Sequence, residues 1–323
     1  MSLQKPPTRP SSSRAVGRIL MLLVLALGAG IVIYTAVTNQ RADLTEDTRA
    51  AALDLEDTTL VDGVRINVVT DQGGSQPVVI LHDVDVTGGM ILADLSRSLG
   101  EPYQGVRLDL PGFGYSDRIP SVDPRYTAAG MASIVAGVVQ QRYDSPVMVV
   151  GVGFGGEVAA DLALTYGDLV AGLVMVDTDF WGAPSLEVSL EQLPWVGKAA
   201  TYTWETGGRF ALDTWAPDCD DGGWCPTDSQ LAERASIVTI ESTTDAVWSF
   251  RRTEEGALAP SNLGDITVPV AYVWSTAGDV SQETVDRLTD EMTALQVVES
   301  ESSAAHLEDY AAVTQALGSL TSQ

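Results

Sequence analysis

A glycine-rich turn occupies the place where a catalytic nucleophile would be expected. Residues 151–156 read Gly-Val-Gly-Phe-Gly-Gly, and they follow the apolar run 147–150 and precede a helical pattern over 157–164. In a sharp strand–turn–helix of the form G-x-S-x-G, the central serine is exposed so that it can attack a substrate. Here that position is Gly153, which has no side chain. The segment therefore predicts the frame of a hydrolytic site without its reactive atom.

Four further segments resemble motifs of the α/β-hydrolase family, and they occur in the family's order over about residues 57–323. Residues 77–82 (PVVILH) are similar to the strand that ends in His-Gly, and residues 109–117 (DLPGFGYSD) resemble the Asp-x-Pro-Gly-x-Gly-x-Ser turn. Residues 269–274 (PVAYVW) resemble the strand before the acid loop, and residues 306–309 (HLED) resemble the start of the last helix. The resemblance implies an α/β fold with a mostly parallel sheet, flanking helices and a helical cap insertion, but it does not by itself imply activity.

The resemblance also indicates where a catalytic triad would lie, with Gly153 at the nucleophile position. Aligning the family on residues 307–309 places its catalytic histidine at Ser303, five residues before Glu308. A register shifted by one turn would instead make His306 the base, so both alternatives stay open. A serine or threonine nucleophile needs an adjacent general base, so the alignment on Ser303 predicts that proton transfer is lost as well.

The acid and oxyanion positions also depart from the family. Family spacing puts the acid at Gly278, with Asp279 one residue late, and Asp177 after the preceding strand is the other place for an acid in this fold. His82-Asp83 replaces the usual His-Gly, and a carboxylate at Asp83 would oppose negative charge that builds on a substrate oxygen. His82 is equally explained as a packed, hydrogen-bonded turn residue. The residues expected to form the pocket are His82, Asp83, Gly153 and Phe154.

Charge is distributed unevenly along the 323 residues. The formal net charge is −26, yet residues 1–41 carry five basic residues and no acid. The remainder has 18 − 5 = 13 basic residues against 44 acidic ones, a net charge of −31. Such a body should repel nucleic acid and anionic lipid headgroups, so we expect no nucleic-acid partner.

An apolar stretch near the N-terminus predicts a membrane anchor. Residues 19–37 are apolar or small, and at 1.5 Å per residue they span about 28 Å, close to the hydrocarbon thickness of a bilayer. We therefore predict a basic cytoplasmic tail over 1–18, a transmembrane anchor over 19–38 and an acidic stalk over 39–56, with the main domain outside the cytoplasm. The alternatives are a cleaved signal peptide, for which residues 38–41 are a poor site, and a buried helix of a soluble protein.

Strands and helices alternate along the remaining chain, which is typical of a mostly parallel sheet. An opening hairpin is predicted over 61–69, and residues 179–262, with six of the seven tryptophans, are predicted to form the cap of an α/β-hydrolase-like domain over 57–323. The further predicted strands are 78–82, 105–109, 147–151, 171–177, 269–274 and 295–299. The predicted helices include 89–99, 127–143, 155–166, 281–293 and 307–319.

The two cysteines, Cys219 and Cys225, enclose a five-residue loop within the predicted cap. Outside the cytoplasm they would meet an oxidising environment, so we predict a disulfide with a local effect, and two free thiols are the alternative. No metal and no cofactor is expected. The neighbouring acidic residues lack the spacing of a calcium loop and are interpreted as a solvated turn: Asp218, Asp220 and Asp221.

Three functions are compatible with these patterns. The first is a membrane-anchored, extracytoplasmic pseudohydrolase that binds a small apolar ligand or a protein partner; the N-myc downstream-regulated family also resembles α/β-hydrolases and has a similar elbow without the serine. The second is an atypical ester or amide hydrolase whose nucleophile is Ser116, Ser303, Asp177 or water. The third is a structural component of the cell envelope.

Overall fold

An eight-stranded sheet with helices on both faces forms the body of the protein. The structure, a computed structural model, describes residues 12–45, 57–119, 123–181, 196–206, 216, 219, 223–254 and 262–321. The strands are β1 (Thr58–Val61), β2 (Val64–Thr70), β3 (Gln76–Leu81), β4 (Tyr103–Leu108), β5 (Val147–Val152), β6 (Val170–Val176), β7 (Val270–Ser275) and β8 (Gln296–Ser300). Their order in the sheet is β1-β2-β4-β3-β5-β6-β7-β8. The β1–β2 and β2–β4 pairs are antiparallel and the other pairs are parallel, which confirms the predicted mostly parallel sheet.

The described α-helices begin with one long N-terminal helix and end with a pair of helices that follow the last strand. They are α1 (Ser12–Thr45), α2 (Ala93–Ser98), α3 (Ala128–Arg142), α4 (Phe154–Thr165), α5 (Gly197–Thr206), α6 (Asp228–Ile237), α7 (Thr243–Glu254), α8 (Gln282–Glu291), α9 (Ala305–Glu308) and α10 (Tyr310–Leu320). Short 3₁₀ turns occur at Gly88–Leu92, Pro124–Tyr126, Gly167–Leu169 and Leu263–Asp265.

Most predicted elements agree with the structure to within one or two residues. The opening hairpin is confirmed, and its tight turn is made by Asp62 and Gly63, both of which have positive φ. The predicted helix over 89–99 is divided into a 3₁₀ turn and α2. The predicted helix over 307–319 starts earlier and is interrupted at Asp309, whose carboxylate accepts a hydrogen bond from the Ala312 N–H and caps α10.

Apolar side chains fill the space on both faces of the sheet. Successive residues of a strand point to opposite faces, and accordingly Val79 packs with α3 and α4 while Val78 and Ile80 pack with α2 and α10. All six residues of β5 are buried. A central strand buried on both sides explains why this segment is a continuous apolar run in the sequence.

Close packing of α4 on the sheet explains the glycines that follow the elbow. A Cβ at Gly155 would overlap the carbonyl oxygen of Leu81, and a Cβ at Gly156 would overlap the hydroxyl of Thr178. Because neither glycine has a Cβ, the first turn of α4 can approach β3 and the end of β6 at backbone distance. This approach fixes the position of the turn at residue 153.

The N-terminal helix α1 extends through all three segments that the sequence assigns to tail, anchor and stalk. Its stretch Leu20–Arg41 is long and apolar enough to cross a membrane by length and composition, and Leu20, Leu25 and Leu27 are 60–67% exposed. Residues 1–11 and 46–56, which hold the rest of the predicted tail and stalk, lie outside the described residues. The division into tail, anchor and stalk stays a prediction.

Candidate functional site

The turn between β5 and α4 has the backbone conformation of an elbow. Gly153 has φ 51° and ψ −120°, a combination that residues with a side chain adopt only under strain. Its N–H donates to the carbonyl of Val176, and its own carbonyl accepts from the Gly156 N–H. The predicted strand–turn–helix is therefore present, and residue 153 is held at the carboxyl end of the central strand.

The carboxylate of Asp83 lies over Gly153. Its Oδ1 accepts hydrogen bonds from the N–H groups of Val84 at 2.7 Å and Phe154 at 2.9 Å. A Cβ built on Gly153 would overlap the whole carboxyl group, with Oδ1 at 2.5 Å. In a G-x-S-x-G site, the N–H after the nucleophile and an N–H from the loop after β3 bind the oxyanion. Asp83 therefore occupies both the space of a nucleophile side chain and the two oxyanion donors.

His82, on the same loop, is part of the packed structure. It is fully buried, its Nδ1 lies 2.6 Å from the Asp83 carbonyl oxygen, and its Nε2 accepts from the Leu110 N–H at 2.9 Å. Its ring packs edge-on against Phe113. Both ring nitrogens are used within the fold, which supports the interpretation of His82 as a hydrogen-bonded turn residue.

The family positions of the acid and the base lie side by side, but neither holds a titratable side chain. The carbonyl oxygen of Ser303 is 2.6 Å from the place that a Cβ of Gly278 would take, so these two positions are adjacent. The Ser303 hydroxyl lies 3.5 Å from a carboxylate oxygen of Glu308, at the limit of a hydrogen bond. The side chain of Asp279 is exposed. This pair of positions cannot supply the acid and base of a triad.

Asp177 is near the site but is engaged in linking strands. Its two carboxylate oxygens accept from the N–H and the hydroxyl of Ser275, at 2.7 and 2.6 Å, and Ser275 Oγ accepts from the Ala305 N–H at 2.7 Å. Burial raises the pKa of Asp177, the Ser275 hydrogen bonds oppose that rise, and the charge of Asp83 adds to it. The carboxylate joins the ends of β6 and β7 to α9, and these bonds do not orient an imidazole.

His306, the alternative base, lies in α9 and lines the pocket described below. Its Nδ1 is enclosed and has no hydrogen-bond partner among the described residues. Burial lowers the pKa of His306 from 6.5 to about 4, so the ring is neutral near pH 7. A catalytic histidine is normally oriented by a carboxylate on the second nitrogen, and this ring lacks that orienting contact at Nδ1.

Ser116, a candidate nucleophile from the sequence, has a structural role. Its hydroxyl is buried, donates to the Asp109 carbonyl at 2.6 Å and accepts from the Asn67 N–H at 2.9 Å. The Asp109 carboxylate in turn accepts from the Gly89 N–H at 2.7 Å and from the Tyr115 N–H at 2.8 Å. These bonds explain the resemblance of residues 109–117 to the family turn without a catalytic step.

A cavity of about 210 Å³ lies between the elbow and the cap. It is bounded by the loop after β3, by α9 and by the three cap helices α5, α6 and α7, and five of its lining residues are formally charged. Most of the other lining residues are apolar, so the cavity combines charged and apolar side chains. The charged lining residues are Asp83, Asp85, Glu205, Arg234 and Arg251.

Three of these residues form a cluster, the cap ion cluster, which comprises Glu205, Arg234 and Arg251. The two oxygens of Glu205 lie 2.7 Å from Arg234 Nη2 and 3.2 Å from Arg251 Nη2. Each residue comes from a different cap helix, so no spacing in the sequence indicates the cluster. Phe250 on α7 also packs edge-on against Phe154 at the elbow, 4.7 Å between ring centres. These contacts hold the cap over residue 153.

The predicted disulfide is present in the cap. Cys219 and Cys225 are bonded to each other, and the adjacent Trp224 N–H donates to the Glu308 carboxylate at 2.9 Å. The bonded loop is thereby attached to the segment after β8. The acidic residues interpreted as a solvated turn lie outside the described residues: Asp218, Asp220 and Asp221.

Comparisons of the sequence with known proteins identify one recurrent type of domain. Residues 86–213 match the family described as alpha/beta hydrolase fold. Over 139 residues the chain is 33% identical to the dihydrolipoyllysine-residue acetyltransferase component of the acetoin cleaving system from Cupriavidus necator. The matched segment is 42% of this chain and 34% of that protein, so the chain spans about a third of the length of this relative.

Solved structures with the same architecture cover most of the chain. A protein from Pseudomonas aeruginosa assigned as an epoxide hydrolase superposes with a TM-score of 0.68 at 20% identity, over 82% of this chain and 95% of its own. An enol-lactonase from Burkholderia xenovorans has a TM-score of 0.64 at 18% identity, over 83% and 100%. A thermophilic esterase from Thermogutta terrifontis has a TM-score of 0.63 at 19% identity, over 82% and 96%. At these identities the likeness concerns the fold.

Proposed function

We propose that this chain, which has the α/β-hydrolase fold, is a membrane-anchored, extracytoplasmic pseudohydrolase that binds a ligand between its core and its cap without cleaving it. The observation that carries the proposal is the position of Asp83. Its carboxylate lies on the two N–H groups that an oxyanion would need and covers the place of the missing side chain of Gly153. The fold provides the elbow of a hydrolase, and the Asp83 side chain fills the space that a nucleophile and an oxyanion would take.

The negative charge of Asp83 also argues against acyl transfer at this site. A tetrahedral intermediate carries a negative charge, and preorganised donors stabilise it only if they are unoccupied. Here the donors of Val84 and Phe154 already hold a carboxylate oxygen. A second negative charge beside Asp83 would be repelled, by about 1 kcal/mol at 4 Å in water and by more in a less polar site. A serine nucleophile at residue 153 and unoccupied oxyanion donors are therefore both missing from this site.

A serine-directed fluorophosphonate probe and a panel of esters and amides test this proposal. We expect no labelling and no turnover above background for the wild-type protein. Gly153→Ser alone should also fail, because the new hydroxyl would meet Asp83 and lacks a base. Adding Ser303→His and Asp83→Gly should give at most a partial rescue. Strong labelling of the wild type that disappears in His306→Ala would overturn the proposal and identify His306 as a base.

The lining of the cavity combines charged and apolar side chains. Two carboxylates from the core loop, Asp83 and Asp85, face a cap wall with Arg234 and Arg251. Most of these charged groups already have partners within the protein: Glu205 pairs with both arginines, and Asp83 accepts two backbone hydrogen bonds. A ligand with both apolar and polar groups therefore fits this lining, and the small apolar ligand expected from the sequence stays a prediction. A formed cavity at the elbow also favours ligand binding over a purely structural role in the envelope.

A second candidate function follows from the same carboxylate. Because Asp83 lies where a nucleophile side chain would be, its other oxygen could attack a carbon of an epoxide and break the ring C–O bond, with the released oxygen taking a proton from water. Water would then hydrolyse the resulting enzyme ester to a diol and restore the carboxylate. Solved structures with this fold include proteins named as an epoxide hydrolase and an esterase. Turnover of an epoxide that Asp83→Asn abolishes would favour this candidate, whereas binding without turnover favours the pseudohydrolase.

A further inference from the structure

Helix α1 has a solvent-exposed part, the bare part (residues 20–33), followed by a part that packs against the body, the packed part (residues 34–38). Side chains from Leu20 to Ile33 are exposed throughout, whereas Thr35 and Thr38 are only 9% and 8% exposed. The packed part lies against cap helix α5, and the hydroxyl groups of Tyr34 and Thr203 are hydrogen-bonded to each other. Among the described residues, the body of the protein therefore meets α1 first near residue 34.

The bare part is too short to cross a bilayer. Residues 20 to 33 rise about 21 Å at 1.5 Å each, whereas the hydrocarbon core is about 30 Å thick. If the inner boundary is at residue 19, the outer boundary is reached about 20 residues later, beyond Thr38. The turns of α1 that contact α5 would then lie at the outer edge of the hydrocarbon.

Helix α5 carries residues suited to that depth. Tyr202 and Trp204 are partly buried aromatic side chains with polar groups, a type that is enriched where lipid tails meet headgroups. Lys198, at its start, has a long stem that can cover apolar surface while its charge remains in water, and it pairs with Asp245 of α7.

We propose that α5 lies in the outer interfacial region of the membrane, so that the cap rests on the bilayer and the cavity opens at its surface. The proposal depends on the membrane anchoring stated above but not on the absence of catalysis. Thr203 contacts α1, and the next two residues, Trp204 and Glu205, line the cavity. The residue of α5 that contacts α1 and the residues of α5 that line the cavity are thus neighbours in the sequence.

The negative net charge of the protein disfavours contact with an anionic lipid surface. With a formal net charge of −26, the chain is repelled by anionic headgroups over about a Debye length. A zwitterionic surface has no such repulsion. The partner of α5 is therefore a zwitterionic outer leaflet, such as one of phosphatidylcholine.

Tryptophan quenching in vesicles tests the proposal. Full-length protein is reconstituted in phosphatidylcholine vesicles that carry a spin label either near the headgroup or at the centre of the acyl chains. We expect the shallow label to quench part of the fluorescence, and that part should be lost in Trp204→Phe. Trp181→Phe is the matched control and should retain it, because Trp181 packs against Phe180 and Arg287. Equal shallow quenching in the wild type and Trp204→Phe, or failure of the protein to float with vesicles, would overturn the proposal.

A pair of arginine variants tests the contact between α1 and α5. Thr35→Arg places a large cation in the packed face, whereas Ala36→Arg places the same group on the exposed face at nearly the same depth. We expect only Thr35→Arg to lose the Trp204 share of the shallow quenching while still floating with vesicles. Unchanged quenching in Thr35→Arg would contradict the docking of α5 on α1. Fluorophosphonate labelling does not depend on whether α5 contacts the membrane. A failure of the pseudohydrolase proposal can therefore be distinguished from a failure of this one.

Discussion

At the scale of single residues, Asp83 and Gly153 share one small volume. The carboxyl group of Asp83 accepts two backbone hydrogen bonds and leaves no space for a Cβ at 153. Gly153 also has positive φ, so a side chain there meets strain in the backbone as well as a steric overlap. The two residues should therefore be energetically coupled.

Gly153→Ser should lower the free energy of unfolding by about 1–3 kcal/mol, from backbone strain and overpacking. Combined with Asp83→Gly, the same substitution should cost clearly less, because the overlap is removed. Urea unfolding of the two single variants and the double variant measures this coupling. Gly167→Ser is the control, since nothing lies within 4 Å of its Cβ position. Additive effects of the changes at 83 and 153 would contradict the steric account.

His306 should make the protein sensitive to mild acid. Its folded pKa of about 4 lies below the unfolded value of 6.5, so between these values only the unfolded chain binds the proton. The contribution of His306 to the free energy of unfolding should be fully present above pH 6.5, and the free energy of unfolding should fall by up to about 3 kcal/mol as the pH decreases to 4. His306→Gln should remove this part of the pH dependence. Parallel curves of unfolding free energy against pH for the two proteins would show that His306 is not the cause.

At the scale of elements, the cap ion cluster connects three helices that are distant in sequence. Glu205 and Arg234 are each 9% exposed, and the Arg251 guanidinium pairs with the same carboxylate. Removing one partner of a buried ion pair leaves the other charges uncompensated. The cluster should therefore stabilise the position of α5, α6 and α7 over the cavity.

Glu205→Gln should destabilise the protein by about 3–5 kcal/mol and accelerate limited proteolysis within the cap. The control is Glu291→Gln, which breaks an exposed pair with Arg287 on α8, and its expected cost is below about 0.5 kcal/mol. Equal proteolysis of Glu205→Gln and the wild type would show that the cluster does not hold the cap.

Elements built from local patterns could be predicted from the sequence, whereas contacts between distant segments could not. The apolar run 147–150 and the following glycines indicate β5 and its elbow because both depend on neighbouring residues. The sequence also indicates that Asp83 disfavours an oxyanion, but not that its side chain lies on the donors, since that requires the relative placement of β3 and β5. The cap ion cluster left no signal because its members come from three helices.

At the scale of the whole molecule, helix α1 separates a basic N-terminus from an acidic body. The positive-inside rule predicts the N-terminus in the cytoplasm and the body outside. Protease added to spheroplasts should digest the body and leave an N-terminal tag intact, and detergent should expose the tag. Recovery of a soluble protein that begins near residue 40 would contradict a retained anchor.

The side chain of Asp83 over Gly153 also has a consequence for the history of this chain. A mutation that places a serine at 153 encounters the carboxylate, and a mutation that shortens residue 83 gains no nucleophile. If the proposed pseudohydrolase function holds, neither step alone would give a serine with space to act, so a serine hydrolase site at this turn would need both changes together. Among homologous sequences, residues at these two positions should covary: a side chain at 153 should accompany glycine at 83, and a bulky residue at 83 should accompany glycine at 153.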